Sequence, residues 1–280
     1  MWRCALPCVL LPSLAAQFYT TDAGVQSPDL PSLRERIEWR SRRDAEQWIA
    51  ETRLVWSPRR ELELDLTVPL VARHLDGVGG RSAQQGLGDV VTSGKLALVR
   101  DDGVMQSDRL SLLLDVSLPT GDDDGTVDGL DLGPRAALGL GTAGVGAGIG
   151  GTIVRDRHRA AAAVRWWQFA RDGGFEPGPM LALDVAWWYR LTPAVFAPHG
   201  DEVELRLVVE ALARWVADDR RGGNDVGNGG HELRLVVGLQ ANLTPSFALE
   251  LGAVLPLTET TSSPFGDERL GGLFSCRMSF

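Results

Sequence analysis

Apolar and polar residues alternate over long stretches of this chain. Between 108 and 118, every second position is apolar: Leu110, Leu112, Leu114, Val116 and Leu118. A period of two is that of a β-strand, whose successive side chains point to opposite faces. Similar runs predict strands at about 48–56, 60–71, 86–99, 108–118, 159–170, 178–191, 202–217, 231–243, 246–257 and 270–280.

The predicted strands are long. Many exceed nine residues, whereas strands of soluble proteins average about 5 to 6 and a membrane-crossing strand needs about 9 to 11. A weaker run at 34–42, through Ile37 and Trp39, supplies a first strand, and together with the stretch 136–154 considered below it brings the number to twelve. The pattern therefore predicts an all-β fold, a transmembrane antiparallel up-and-down β-barrel of about 12 strands.

The uncharged stretch 136–154 is long enough for a transmembrane helix, but seven of its residues are glycine. Each glycine costs a helix about 1 kcal/mol. Gly144, Gly146, Gly148 and Gly150 also keep the period of a strand. We expect one long strand here, with a bulge near 142–143.

The predicted connections differ in length on the two sides of the barrel. Longer ones fall at 72–85, 119–135, 171–177, 218–230 and 258–269. They alternate with mostly shorter ones near 57–59, 100–107, 155–158, 192–201 and 244–245. Outer-membrane barrels have long extracellular loops and short periplasmic turns, so this alternation supports the same fold and a location in the cell outer membrane.

Aromatic residues gather near the predicted strand ends. Those at the outer ends are Trp39, Trp48, Trp166, Trp167, Phe169 and Trp215, and those at the periplasmic ends are Trp56, Trp187, Trp188, Tyr189, Phe247 and Phe280. This distribution predicts two aromatic girdles in contact with outer-membrane lipid. The terminal Phe280 resembles the signal by which barrels are recognised, so the barrel-assembly machinery is the expected protein partner.

Composition narrows the alternatives. With 44% apolar and 23% charged residues among 280, the chain is not a disordered one, and a net charge of −9 argues against nucleic acid as a partner. Residues 1–16 resemble a secretory signal peptide, although a buried N-terminal segment is the alternative. We expect a short periplasmic segment at 17–33 and the barrel at 34–280. Cys276 alone then remains, too few for a disulfide framework.

The polar face of the predicted strands is rich in charge. We expect these residues to line the lumen: Glu61, Glu63, Asp65, Asp89, Lys95, Arg109, Asp115, Asp184, Glu204, Arg206, Glu210, Arg214, Arg234, Glu250 and Arg277. Such charges either hydrate a channel or neutralise one another as the packed interior of a closed scaffold.

No catalytic or metal-binding constellation stands out. The histidines His74, His158, His199 and His231 fall at or near predicted loops, and none pairs with a serine as in a lipase-type triad. The acidic stretch 121–131 lacks the ordered spacing of an EF-hand, which favours a solvated loop. We therefore expect neither an enzyme nor a bound metal or other cofactor.

Three blocks carry a resemblance to a known family. They are "WSPRRELELDLTVPL" at 56–70, "GLGDVVTSGKLALV" at 86–99 and "LLLDVSLPTGDDDG" at 112–125. In order and spacing, 45–280 resembles the outer-membrane transporter family named for the MetA pathway of phenol degradation. The resemblance implies a channel that passes small solutes, including hydrophobic or aromatic ones. A non-conducting structural or adhesive barrel is the alternative, and a barrel hydrolase is a more distant one.

Overall fold

The computed structural model describes residues 31–77, 80–103, 106–122, 126–127, 130–131, 137–194, 202–260 and 267–280. The described residues form these strands: β1 (Ser32–Arg42), β2 (Ala45–Arg59), β3 (Leu62–Gly77), β4 (Gly80–Leu87), β5 (Val90–Gly103), β6 (Gln106–Leu118), β7 (Thr126–Val127), β8 (Leu130–Asp131), β9 (Gly144–Arg155), β10 (His158–Phe169), β11 (Phe175–Glu176), β12 (Met180–Thr192), β13 (Glu204–Val216), β14 (Arg220–Arg221), β15 (Asn224–Asp225), β16 (Gly230–Thr244), β17 (Phe247–Glu259) and β18 (Glu268–Ser279). No helix in this part of the chain has the length and apolar character to span a bilayer.

The long strands close into an antiparallel barrel. Each pairs with its neighbour in the chain, and β1 pairs with β18, from Ser32 opposite Ser279 to Arg42 opposite Glu268. Since β4 and β5 follow one another along β3, they count as one wall strand, and the described part of the chain has 12. The predictions of an all-β fold and of a barrel with about 12 strands are confirmed.

The two ends of the barrel are unlike. The strand ends that flank 119–143, 170–179, 217–229 and 260–267 lie at one end of the barrel, here called the loop end. The opposite end, the turn end, holds Ser32 and Phe280 and the short turns at 60–61, 156–157 and 245–246. The connection between Thr192 and Glu204 is the long one of the turn-end set, in agreement with its predicted bounds of 192–201.

Burial distinguishes the two faces of the wall. In β6, Leu114 is 54% exposed and Val116 is 39% exposed, whereas Asp115 between them is 5% exposed. In a closed barrel the exposed apolar positions face outward and the buried polar positions face inward. The outer face is therefore suited to lipid.

Two predicted boundaries were wrong. The predicted loop 72–85 belongs instead to β3 and β4, which continue with polar side chains until only residues 78–79 separate them. The predicted long strand 136–154 begins only at Gly144. The preceding residues 137–143 belong to no strand, although they have the same small and apolar composition.

The aromatic girdles are confirmed in part. Among the predicted residues, Trp48, Trp166 and Trp215 are exposed outward near the loop end, and Trp56, Trp187 and Phe280 near the turn end. Trp167 and Phe169 were misplaced, because their positions face the interior, where both side chains are buried. They stack on each other, with ring centroids 6.2 Å apart. Trp188 also occupies an inward position on β12.

The inward side chains of β10 lie against the glycine face of β9. Gly144 is opposite Phe169, Gly146 is opposite Trp167 and Gly148 is opposite Arg165. A Cβ on Gly146 would lie 2.8 Å from the Trp167 ring. The regular glycines of β9 therefore give space to bulky side chains of the neighbouring strand.

The predicted signal peptide 1–16 and most of the predicted periplasmic segment 17–33 lie outside the described residues. The barrel begins slightly earlier than expected, at Ser32. Phe280 is 64% exposed at the turn end, and its recognition by the assembly machinery stays a prediction.

Candidate functional site

Buried charged and polar side chains cover the inner face of the barrel. Most residues predicted to line the lumen are among them: Glu63, Asp65, Asp89, Lys95, Asp115, Asp184, Glu204, Glu210, Arg214, Arg234 and Glu250. They come from separate strands, and the alternation within each strand points them to the same interior. This interior is the candidate functional site.

Three other predicted residues hold inward positions near the turn end and are partly exposed: Arg109, Arg206 and Arg277. Arg109 lies 2.9 Å from Asp102 across the hairpin that joins β5 and β6. Arg206 lies 2.8 Å from Glu204 on its own strand.

Glu61 was placed wrongly in the lumen. The pairing of β2 with β3 ends where Arg59 faces Leu62, so Glu61 belongs to the turn between these strands. Its side chain is exposed there. The alternation of the following strand begins at Leu62, one position after Glu61.

Six inward side chains form a continuous series of ion pairs near the loop end, here called the loop-end belt. In order they are Arg214, Glu232, Arg234, Glu268, Arg42 and Glu259. The successive nitrogen-to-oxygen distances are 3.0, 3.0, 2.9, 3.4 and 3.0 Å. The belt joins β13, β16, β18, β1 and β17, so it links strands distant in the chain. Removal of one partner would leave a buried charge uncompensated, at a cost of about 3–5 kcal/mol.

Further ion pairs lie deeper in the interior. Nitrogen-to-oxygen distances are 2.8 Å for Lys95 with Glu63, 2.7 Å for Arg53 with Asp65, 3.5 Å for Arg165 with Asp115 and 3.8 Å for Arg165 with Asp184. Charges of both signs therefore alternate around the inner wall. This arrangement can carry ordered water and polar groups, and its opposite charges compensate one another.

Strand β1 supplies inward charges that the sequence reasoning left out: Arg34, Arg36, Glu38, Arg40 and Arg42. Glu38 is 0% exposed, and Arg40 donates to it at 2.5 Å. Arg36 pairs with Glu51 of β2. The signal was present, because these charges alternate with Leu33, Ile37 and Trp39.

A piece of the connection between β6 and β9 lies inside the barrel mouth at the loop end. This crossing segment, 137–142, buries Leu138 against Ile49 of β2 and Val71 of β3. Leu140 packs on the other side, against the cluster that contains Trp167. The segment therefore contacts inward side chains from both sides of the mouth and narrows it.

The carboxylate of Asp89 holds the crossing segment to the barrel wall. Its Oδ2 accepts a hydrogen bond from the Leu140 backbone N–H at 2.8 Å, and its Oδ1 accepts one from Gly121 at 3.1 Å. The Thr120 hydroxyl accepts from the Val90 N–H at 2.9 Å. Charge-assisted hydrogen bonds of this kind are stronger than neutral ones.

Close packing of glycines supports the same contact. A Cβ on Gly121 would lie 2.7 Å from the Cα of Gly139 and 2.8 Å from the carbonyl carbon of Gly88. The sequence blocks 86–99 and 112–125 thus meet at the crossing segment, through Gly88 and Gly121. Their glycines are needed because three backbones approach one another here.

The barrel wall is interrupted beside this contact. β4 is hydrogen-bonded to β3 alone among the described strands, and β6 ends at Leu118. The second edge of β4 therefore has no ladder partner among the described strands. Asp122 contributes one backbone bond, donating to the Leu87 carbonyl at 3.1 Å.

The three histidines in the described part of the chain do not converge on the interior. His158 lies beside Trp187 and Tyr189 on the outer face, with ring centroids 5.8 and 4.9 Å away. His231 contacts the Thr260 hydroxyl through Nδ1 at 3.1 Å in an exposed position. His74 is exposed on β3, and His199 lies outside the described residues. Nowhere in the described part of the chain do three or more His, Cys, Asp or Glu residues form a group that could hold a metal ion.

Comparisons with known proteins identify the fold but not the family. No protein-family model matches the chain, and no curated protein sequence matches it. The structure is similar to the COG4313 outer membrane channel from Pseudomonas putida F1, with a TM-score of 0.73 and 12% identity over 92% of this chain and 98% of that one. It is also similar to the NanC porin, with a TM-score of 0.50 and 10% identity over 89% and 98% of the two chains.

At these identities the likeness shows the fold alone. The resemblance to the MetA-pathway family stays a resemblance, since no comparison confirms it. Both similar structures are named as a channel or a porin. The chain has the fold of an outer-membrane β-barrel, and the predicted location in the outer membrane agrees with that fold and with the apolar outer face.

Proposed function

We propose that this barrel is a passive outer-membrane channel that passes small solutes, including hydrophobic or aromatic ones, through its charged lumen. The observation that carries the proposal is the contrast between the faces of the wall. Outward positions are mostly apolar, whereas many inward positions hold paired charges that can hydrate a path, beside an inward apolar cluster of Leu212, Val236, Val254 and Leu273. The barrel resembles proteins named as a channel and a porin, which supports the same function by analogy of fold.

The crossing segment is the barrier that such a channel must control. It is joined to the wall by the hydrogen bond from the Leu140 N–H to Asp89 and by packing of Leu138 and Leu140. Aromatic and aliphatic side chains therefore lie beside charged ones at the loop-end mouth. A small aromatic solute would find both an apolar surface and polar groups there.

A closed scaffold is the second candidate, and one observation favours it. Asp184 is 1% exposed and Glu210 is 2% exposed, although both lie on the inner face. Interior charges packed this tightly leave little space for water at their own level. Single-channel recording from refolded protein in planar bilayers distinguishes the two candidates. Folded protein that gives no conductance steps would exclude the channel.

Substitution of Asp89 tests the role of the crossing segment. We expect Asp89→Asn to increase conductance or the fraction of time spent open, because an amide retains only one acceptor oxygen and no charge. Loss of a hydrogen bond to a charged group is worth about 1.5–3 kcal/mol, enough to shift a closed-to-open ratio about tenfold or more. Planar bilayer recording measures both quantities.

Glu61→Gln is the matched control for this experiment. It removes the same charge from an exposed turn at the opposite end of the barrel. We expect its conductance to equal that of the unmodified protein. Equal conductance of Asp89→Asn and Glu61→Gln, with both folded, would show that the crossing segment does not limit passage.

A further inference from the structure

Arginines are placed directly beside one another at the turn end of the lumen. On the inner face, Arg34 of β1 is opposite Arg277 of β18 on one side and Arg53 of β2 on the other. Arg206 of β13 is likewise opposite Arg190 of β12. Side chains in such pairs have Cβ atoms about 4.5–5.5 Å apart, and like charges there are destabilising. The repulsion between these arginines is offset where a negatively charged group lies beside them.

The nearby carboxylates are already engaged. Glu250 accepts two hydrogen bonds from Arg34, both at 2.9 Å, and a third from Gln240 at 2.6 Å. Glu204 accepts from Arg206 at 2.9 and 2.8 Å. It also accepts from Asn242 at 2.7 Å.

Arg277 has no carboxylate partner of its own among the described residues. It lies within electrostatic range of Arg34 and Arg206, and of the two carboxylates, Glu204 and Glu250, which each bind another arginine. Its side chain is partly exposed to the lumen. Arg159 lies in the electrostatic range of the same group, and its guanidinium carbon is 5.4 Å from the centroid of the inward Trp188 ring.

We infer that this turn-end arginine cluster, formed by Arg34, Arg159, Arg206 and Arg277, binds the oxyanion of a solute, with a carboxylate as the ligand group. Guanidinium groups match the geometry of a carboxylate with two parallel hydrogen bonds. Within the cluster, Glu250 binds Arg34 and Glu204 binds Arg206, which leaves Arg277 without a carboxylate of its own among the described residues. An anionic group beside Arg277 would relieve the repulsion that the strand register imposes, and Trp188 provides an aromatic surface near it.

The inference extends the proposed channel function and rests on it only for the route by which the anion reaches the cluster. Binding is therefore measured without conduction, by isothermal titration of the full chain refolded in detergent micelles at constant ionic strength. The probes are benzoate, inorganic phosphate and, as a neutral analogue, benzyl alcohol. We expect benzoate to bind and benzyl alcohol not to bind.

Arg277→Gln is the variant that tests the site. We expect it to weaken benzoate binding about tenfold, because a hydrogen-bonded charge is lost. Arg155→Gln is the control, since it removes the same charge from an exposed outward position at the same end and leaves the cluster intact. We expect Arg277→Gln to fold, because it relieves the repulsion from Arg34.

The outcomes distinguish the ligand classes. If phosphate binds as tightly as benzoate, the site is an oxyanion site that selects by charge and geometry alone. If phosphate binds and benzoate does not, the carboxylate is the wrong ligand group and a phosphate group takes its place. Equal binding of benzoate and benzyl alcohol, or an unchanged benzoate affinity in Arg277→Gln, would overturn the inference. Should Arg277→Gln not fold, the comparison of benzoate with benzyl alcohol on the unmodified protein still decides. If benzoate binds but the protein gives no conductance steps, the anion site is supported and the channel proposal fails.

Discussion

Leu114→Arg is expected to abolish assembly of the barrel, whereas Asp115→Asn is expected to leave a folded barrel in the membrane. Leu114 projects outward from β6 within the apolar band, and an arginine at the bilayer midplane of a barrel costs about 2–4 kcal/mol. Asp115 faces the interior, where an asparagine keeps the shape and a hydrogen-bonding oxygen. Arg165 retains Asp184 as a second carboxylate, at 3.8 Å.

Heat-modifiable migration of the membrane fraction on gels measures this pair of variants. A folded barrel migrates differently before and after boiling, and an unfolded chain does not. Equal tolerance of both substitutions would mean that the assignment of inner and outer faces in β6 is wrong, and with it the position of every charge assigned to the lumen from that strand.

Gly148→Ala is expected to destabilise the barrel more than any other single-methyl change in β9. An added Cβ would lie 2.2 Å from the Val164 carbonyl oxygen and 2.8 Å from Cγ of Arg165. Such contacts require β9 and β10 to separate or shift. We expect the loss of folding free energy to exceed the cost of about 1–3 kcal/mol that ordinary overpacking carries. We expect a lower urea midpoint of unfolding in lipid vesicles and a smaller yield of folded protein.

Gly151→Ala is the control on the same strand. Gly151 is outward, and the nearest atom to an added Cβ is the Arg109 carbonyl oxygen at 3.8 Å, an ordinary contact. Its midpoint should equal that of the unmodified protein. A midpoint for Gly148→Ala as high as that of Gly151→Ala would show that the two strands do not approach as closely as described.

The fold could be predicted from the sequence wherever the alternation of apolar and polar residues is unbroken. The run from Leu110 to Leu118 fixes both the strand and its faces, and even the weak run 34–42 proved to be β1. Alternation failed where polar residues continue a strand beyond the apolar band, as at Arg73 and His74. It failed again at 137–143, because a segment that packs inside a barrel mouth has the same composition as a strand.

The candidate site could be predicted from the sequence only in part, for a related reason. Alternation indicates which charges face inward, but it does not indicate which ones meet. Arg42 and Glu268 of the loop-end belt are 226 positions apart in the chain, and their contact depends on closure of β1 against β18. The contact of Asp89 with Leu140 likewise depends on a loop that returns into the mouth. Pairing across a closed barrel follows from register, which a single sequence does not specify.

The most direct test of the charged lumen as the conducting path is thiol labelling during single-channel recording. Thr67→Cys places a thiol on the inward face of β3, and Val68→Cys places one on the adjacent outward position, both in a background in which Cys4, Cys8 and Cys276 are replaced by alanine. The account predicts conductance steps that a charged, membrane-impermeant methanethiosulfonate reduces in Thr67→Cys and leaves unchanged in Val68→Cys. Conductance that is absent, or that the reagent leaves unchanged in Thr67→Cys, would contradict it.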